Sequence, residues 1–412
     1  MRNRHPELLI PASSLEVLKT AVMFGADAVY IGGEAFGLRA KAKNFSMEDM
    51  KEGVQFAHEH GARVHVTVNI LAHNDDLEGA AEYLKELKEI GPDALIIADP
   101  AIFMLAKEIC PEIERHVSTQ ANNTNYGTFN FWWNLGAKRV VTARELSLKE
   151  IREIRAHIPA EMEIESFIHG AMCISYSGRC LLSNFFTGRD ANQGACTHPC
   201  RWKYSVVEET RPGEYMPVYE NERGTYIFNS KDLCMIEHIP EMIDAGIDSF
   251  KIEGRMKTAL YVATVARTYR KAIDDYLEDP KKYEANMPWY RDQISNCTYR
   301  QFTTGFYFGK PGDESQIYDN NTYIKEYTYL GIIGGIKDGM YRIEQRNKFS
   351  VGETVEIMKP DGQNVEVTVE KIVDENGQEQ ESAPHPKQVL YVALSGEASV
   401  YDILRRQESV TE

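Results

Sequence analysis

Five of the seven cysteines fall in one region of the chain. Cys173, Cys180, Cys196 and Cys200 lie in HGAMCISYSGRC and NQGACTHPCRW, and Cys234 follows in NSKDLCMIEH. Only Cys110 and Cys297 lie elsewhere. Grouped thiolates are soft ligands, suited to zinc or to the irons of an iron-sulfur cluster. Zinc sites usually draw on tight CxxC knuckles, whereas the first four cysteines are separated by six, fifteen and three residues, with no CxxC anywhere. The spacing favours an iron-sulfur cluster over zinc or over redox and buried thiols. It lacks the CxxCxxC run of bacterial ferredoxins, which argues against an electron-transfer module of that kind. The opening MRNRHPELLIPASS has no positive-then-apolar leader, and no apolar run approaches the roughly 18 residues of a membrane span. A cytoplasmic, reducing setting without a membrane is therefore expected, where clustered cysteines serve as ligands more often than as bridges.

These thiols need a scaffold, and the flanking sequence supplies one. Short apolar, β-branched runs recur at ELLI, AVYI, VHVTV, ALIIA, HVST, RVVT, EIESFI and SFKIE. Amphipathic stretches separate most of them, the first three ending near Gly25, Gly61 and Gly91. Eight such units predict a TIM-type (β/α)8 barrel, with the cysteine-rich insert opening after strand seven. Chemistry in these barrels gathers at the carboxyl ends of the strands. That rule selects Glu165, His169 and Glu253 as candidate catalytic groups, and Asn69, Gln120, Arg144, Lys251 and Arg255 as candidate substrate contacts. Each of these residues taken alone is as readily a loop cap or a structural ion pair.

From about Tyr327 the pattern changes to alternating hairpins around KDG, PDG and ENG turns, predicting a small antiparallel β-barrel. The expected division is a barrel over 1–285, a connector over 286–326 with Pro288 as a breaker, and a tail domain over 327–412. The formal charge of -16 argues against a general nucleic-acid coat. Any RNA contact would rest on local basic patches.

The stretch ESFIHGAMCISYSGRCLLSNFFTGRDANQGACTHPCRWKY, with ELLIPA, DAVYIGG, NSKDL and KIEGRMK, closely resembles the peptidase U-32 family, once called collagenase-like proteases. The likeness covers almost the whole chain. It is closest to the branch of bacterial tRNA hydroxylation proteins, which implies formation of 5-hydroxyuridine at the wobble position of tRNA. It also implies a 4Fe-4S cluster and prephenate or a similar small anionic cosubstrate. Carried over by position, the cluster ligands are Cys173, Cys180, Cys196 and a fourth, with Cys234 preferred and Cys200 close behind. Peptidase activity is the alternative that the family label suggests, although the chain has neither HExxH nor GxSxG. A non-catalytic RNA-binding or assembly protein with a structural cluster is a third reading, and a protein partner is compatible with each.

Overall fold

The computed structural model describes residues 5–33, 36, 44–172, 176, 180–189, 196–197, 199, 205–207, 215–217, 229–296, 301–310, 316–317 and 327–408. Strand and helix alternate through β1 (Glu7–Pro11), α1 (Leu15–Met23), β2 (Ala28–Gly32), α2 (Met47–Glu59), β3 (Arg63–Val68) and α3 (Asp76–Ile90). The alternation continues through β4 (Ala94–Ile97), α4 (Pro100–Ile109), β5 (Glu114–Val117), α5 (Tyr126–Leu135), β6 (Arg139–Val141), α6 (Leu148–His157) and β7 (Glu163–Ala171). Next come α7 (Leu182–Thr187), the short strands β8 (Ser205–Val207), β9 (Tyr215–Pro217), β10 (Asn229–Ser230) and β11 (Asp232–Cys234), then α8 (Ile239–Asp244) and β12 (Ser249–Ile252). Strands β1 to β7 and β12 run parallel and close into a ring, because β12 pairs with both β7 and β1. This is the expected (β/α)8 barrel. Its helices are cut locally: Ser46, Asp99 and Asn125 cap N-termini, Ser147 and Glu150 form a capping box, and Gly91 ends α3 in the left-handed region.

The barrel interior is divided by chemistry. Leu9, Ala28, Tyr30 and Ile96 form a buried apolar cluster, while β6, β7 and β12 contribute charge. Arg139 is buried and donates to Glu163 Oε2 at 2.7 Å, to Glu165 Oε2 at 3.0 Å and to Glu7. Lys251 Nζ donates to Glu165 Oε1 at 2.6 Å. Burial alone would raise the Glu7 pKa, but the Arg139 guanidinium holds it far below the usual carboxylate range. The reciprocal interaction raises Arg139 well above its ordinary value against the pull of its own burial.

By contact density the chain divides into two compact units, one of Met1–Val22, Ala26–Lys257 and Arg300–Thr322, the other of Met23–Gly25, Thr258–Tyr299 and Tyr323–Glu412. The helices α9 (Ala259–Glu278) and α10 (Pro280–Ser295) thus fall in the second unit, whereas the sequence reading placed residues up to 285 with the barrel. That reading also made Pro288 a breaker, yet α10 runs through it. Asp279 caps this helix, Pro280 stands in its first turn, and Tyr283, Tyr290 and Ile294 are buried. Side-chain burial and the hydrogen bond from the Tyr290 hydroxyl to Asp275 offset the backbone bond that Pro288 cannot donate. β13 (Phe302–Thr303) and β14 (Gln316–Ile317) return to the first unit.

The second unit also holds β15 (Tyr327–Lys337), β16 (Met340–Glu344), β17 (Thr354–Met358), β18 (Asn364–Asp374), β19 (Glu379–Gln380), β20 (Val389–Leu394) and β21 (Ile403–Gln407). All its pairs are antiparallel, and β17 pairing with β18 closes the sheet around Leu330, Ile333, Ile357, Ile372 and Leu404. Asp338 and Gly339 both take positive φ in the two-residue turn joining β15 to β16.

Arg139→Met should cost about 3–5 kcal/mol, because three buried or half-buried carboxylates lose their shared partner. Urea unfolding would show a lower midpoint at unchanged slope. Adding Glu165→Gln to that variant should recover part of the loss, and no recovery would mean that repacking rather than unpaired charge sets the cost.

Candidate functional site

The rim is built where β7 outruns its neighbours. Gly170 has φ +107°, and a Cβ there would lie 2.4 Å from the Glu253 carbonyl, so the close approach of β7 to the end of β12 requires glycine. Beyond the ring, β11 pairs antiparallel with β7, setting Cys234 opposite His169 and Asp232 opposite Ala171. On its other side β11 pairs with β13, setting Asp232 opposite Phe302. Paired residues project to the same face. Consistent with this, the rings of His169 and Phe302 are 5.7 Å apart. Tyr307 anchors the following segment: its hydroxyl donates to the Phe167 carbonyl, and its own carbonyl accepts from Leu148 N at 3.0 Å.

His169 is buried and its backbone carbonyl accepts from Glu253 N at 2.8 Å. Burial, assisted by the charge of Lys257, pushes its pKa down to about 3, so the ring is neutral near pH 7. Arg144 Nη2 donates to Glu253 Oε2 at 3.2 Å and its Nη1 to the Ala171 carbonyl at 3.1 Å, while the guanidinium lies 4.1 Å from the Phe167 ring centre. Arg255 Nη1 donates to Thr67 Oγ1 at 2.7 Å. Gly32 makes room for it, since a Cβ at that position would sit 2.6 Å from Arg255 Nη1. Asn69 donates to Ser118 Oγ at 3.4 Å. Gln120, in a 3-10 turn over Thr119–Ala121, is half-buried, and its side-chain oxygen has no hydrogen-bond partner among the described residues.

Two of the sequence candidates lie deeper than expected. Glu165 is fully buried with Lys251 on one oxygen and Arg139 on the other, so this pair belongs to the ionic interior instead of the rim. The cause is strand length: β7 reaches Ala171, and the rim therefore falls at His169. His65 and His116 were missed. They are buried beside Glu165, with one ligand-type atom from each of the three within 4.8 Å of the others. Their inward alternation in VHVTV and ERHV was the available signal. Burial pushes both imidazoles well below their ordinary pKa. A metal at this trio would compete with Lys251 and Arg139 for Glu165.

Among the described thiols, Cys180 and Cys234 are half-buried and Cys196 is exposed. Cys173, Cys200 and Cys297 lie outside the described residues, as do Ser175 and Ser177, which the sequence offers as nucleophiles. Ser183, a third, is buried with its hydroxyl 3.0 Å from that of Thr197. Cys110 differs from the rim thiols: its Sγ donates to the Ala106 carbonyl at 3.3 Å, and burial pushes the thiol up to about 11. Cys234 lines an open cavity of about 480 Å³ with Lys231, His238, Phe302, Thr303 and Phe308. Half-buried or exposed thiols such as Cys180, Cys196 and Cys234 are donors that fit a soft metal centre, and the buried Cys110 is not.

These features define a (β/α)8-barrel protein with a thiol-bearing carboxyl rim and a separate antiparallel C-terminal domain. The chain belongs to peptidase family U32: the model of that family matches residues 13–317, and that of the peptidase family U32 C-terminal domain matches residues 325–405. It is similar to tRNA hydroxylation protein P1 of Bacillus subtilis (strain 168), with 43% identity over 405 residues covering 98% of this chain and 95% of the relative. It also resembles tRNA hydroxylation protein P of Escherichia coli (strain K12), at 39% identity covering 92% and 91%. The 23S rRNA 5-hydroxycytidine C2501 synthase of Escherichia coli (strain K12) is 41% identical over 66% of this chain and 40% of its own length. No described helix is long and apolar enough to cross a membrane.

The buried histidines make stability pH-dependent. His116 is held neutral in the fold, whereas the unfolded chain binds a proton near pH 6.5. Its contribution is therefore complete above that pH and is lost as pH falls. One such proton amounts to about 2 kcal/mol between pH 6.5 and 5. The urea midpoint should drop over this interval, and His116→Gln should make the drop shallower. Parallel curves for the two proteins would assign the pH dependence to other groups.

Proposed function

We propose that this protein is an iron-sulfur-dependent tRNA-modifying enzyme that forms 5-hydroxyuridine at the wobble position, with prephenate as cosubstrate. The observation that carries the reading is the placement of Cys234 opposite His169 at the barrel rim, in a chain that aligns almost end to end with a relative named for tRNA hydroxylation. Held by Cys173, Cys180, Cys196 and Cys234, a 4Fe-4S cluster would supply redox or Lewis-acid chemistry beside the barrel mouth. The other roles fall to the chain's own side chains. Arg255 and Arg144 are the rim cations for the carboxylates of a small dianion, since a guanidinium fork matches a carboxylate in a desolvated site. Lys251 is spent on Glu165 and does not share that role. Glu253 orients Arg144. His169, held neutral by burial, can donate or accept a hydrogen bond at the rim without carrying charge into it.

Nucleoside analysis of tRNA from a deletion strain, with and without the gene restored, tests the reading. 5-Hydroxyuridine should vanish and return, and its persistence in the deletion strain would overturn the assignment. Cys180→Ser, Cys196→Ser and Cys234→Ser should each lose most of the iron and sulfide of anaerobically purified protein, and Cys110→Ser should retain both. Full retention in Cys234→Ser would transfer the fourth ligand to Cys200.

Arg255→Lys keeps the charge and loses the planar fork, so modification should fall roughly tenfold or more, on the order of 1.4 kcal/mol, with the unfolding midpoint unchanged. Wild-type modification by that variant would remove Arg255 from the site.

A further inference from the structure

The cavity beside Cys234 has a composition that the rim pairs do not explain. Its walls carry Lys231 and Lys310, the hydroxyl-bearing Thr303 and Thr304, and the rings of Phe302 and Phe308. Phe308 is 55% exposed and lines the same cavity as the two lysines. Its ring lies 4.6 Å from that of His238, whose Nδ1 is 3.3 Å from Glu241. Phe302 leans instead on His169, so one wall of the cavity touches the buried imidazole of the rim. The volume, about 480 Å³, falls in the range of small-molecule sites. A single nucleotide needs these elements together: a flat apolar face for the base, cations for the flanking phosphates, and polar groups for the base edge or ribose. Glu237 also lines the cavity. A carboxylate there disfavours a free dianion and accepts hydrogen bonds from a ribose hydroxyl or a base N–H.

We propose that this cavity receives the target pyrimidine nucleotide, unstacked from its neighbours, with the base on Phe308, the flanking phosphates on Lys231 and Lys310, and one base edge towards Cys234. The assignment rests on the RNA-modifying reading above and adds the place where the RNA base is held. Enzymes that act on a base must bring it out of the stack, and an aromatic platform lowers the cost of doing so.

The test uses the full chain, purified anaerobically, and two fluorescent RNA hairpins that differ in one loop position, uridine in one and an abasic site in the other. Wild-type protein should bind the uridine hairpin five- to a hundredfold more tightly than the abasic one. Phe308→Ala should erase that preference, and Phe308→Trp should restore it. Because Phe308 is exposed, iron content and the unfolding midpoint should not move in either variant. Lys231→Ala and Lys310→Ala should each flatten the dependence of log affinity on log salt by about 0.7, the value for one single-strand phosphate contact. Equal binding of the two hairpins by the wild type, or an undiminished preference in Phe308→Ala, would overturn the proposal. If modification failed in Phe308→Ala while the uridine preference stayed intact, the cavity would belong to a small cosubstrate, which also overturns it. Failure of the underlying reading is distinguishable: in that case the wild type binds neither hairpin, and tRNA from the deletion strain keeps its 5-hydroxyuridine.

Discussion

A guanidinium buried inside the barrel organises what lies above it. Arg139 joins the starts of β1, β6 and β7 through Glu7, Glu163 and Glu165, and Lys251 extends the chain of charge to β12. Desolvating so many charges is costly, and the fold tolerates it only because every carboxylate meets a cation with good geometry. The network also closes the ring. The first strand and the last two, distant in sequence, meet there through side chains as well as through backbone pairs. An apolar filling of the same volume would hold the strands but would not fix their mutual depth so tightly, because a slip of one residue would break several charge-assisted bonds at once.

That fixed depth determines what reaches the rim. With Glu165 and Lys251 committed below, β7 continues to His169 and Gly170 before turning away, and β12 delivers Glu253 next to it. At Gly170 the backbone passes so close to the Glu253 carbonyl that a Cβ would not fit. The overhang of β7 then offers β11 a free edge, and β11 brings Cys234 to His169. Cys234 and His169 are set opposite one another by a three-residue strand that pairs with β7 on one side and β13 on the other. Site geometry therefore depends on how far β7 extends past its neighbours.

The barrel was legible in the sequence because parallel strands buried on both faces read as continuous apolar runs, and the helices between them carry caps and glycine stops. ELLI, AVYI, VHVTV and SFKIE coincide with β1, β2, β3 and β12 to within a residue. Depth along a strand was not legible. EIESFI ends at a phenylalanine and an isoleucine, and nothing in its pattern says that pairing continues through HGA, so Glu165 was placed at the rim although it lies inside. The alternation in VHVTV and ERHV put His65 and His116 on one face of their strands, but a polar residue in a strand reads as outward-facing until the barrel axis is known. β11 and β13 are too short to show any periodicity. α10 was lost to the usual weight given to proline, which three buried aromatic and aliphatic side chains outweigh here. The grouping of the thiols comes from ligand chemistry and spacing, and the burial of Cys110 sets it apart from Cys180, Cys196 and Cys234.

The acid excess of the chain bears on how it could engage RNA. At a formal charge of -16 the long-range field repels a polyanion, but at physiological ionic strength that field decays over roughly 8 Å. Carboxylates on far surfaces then matter little, and a few cations near the rim decide the local potential. The rim guanidiniums already have partners, Arg144 on Glu253 and Arg255 on Thr67, while Lys251 lies below them with Glu165. Lys231 and Lys310, on the wall of the cavity beside Cys234, are held by the short segments that the barrel edge supports. With so little charge available, non-specific attraction to a phosphate backbone is weak, and retention must come from contacts that a duplex cannot make. An exposed phenylalanine in a cavity that two lysines also line favours an unstacked base over a paired one, so the same charge economy that limits affinity directs the proposed chemistry to single-stranded positions.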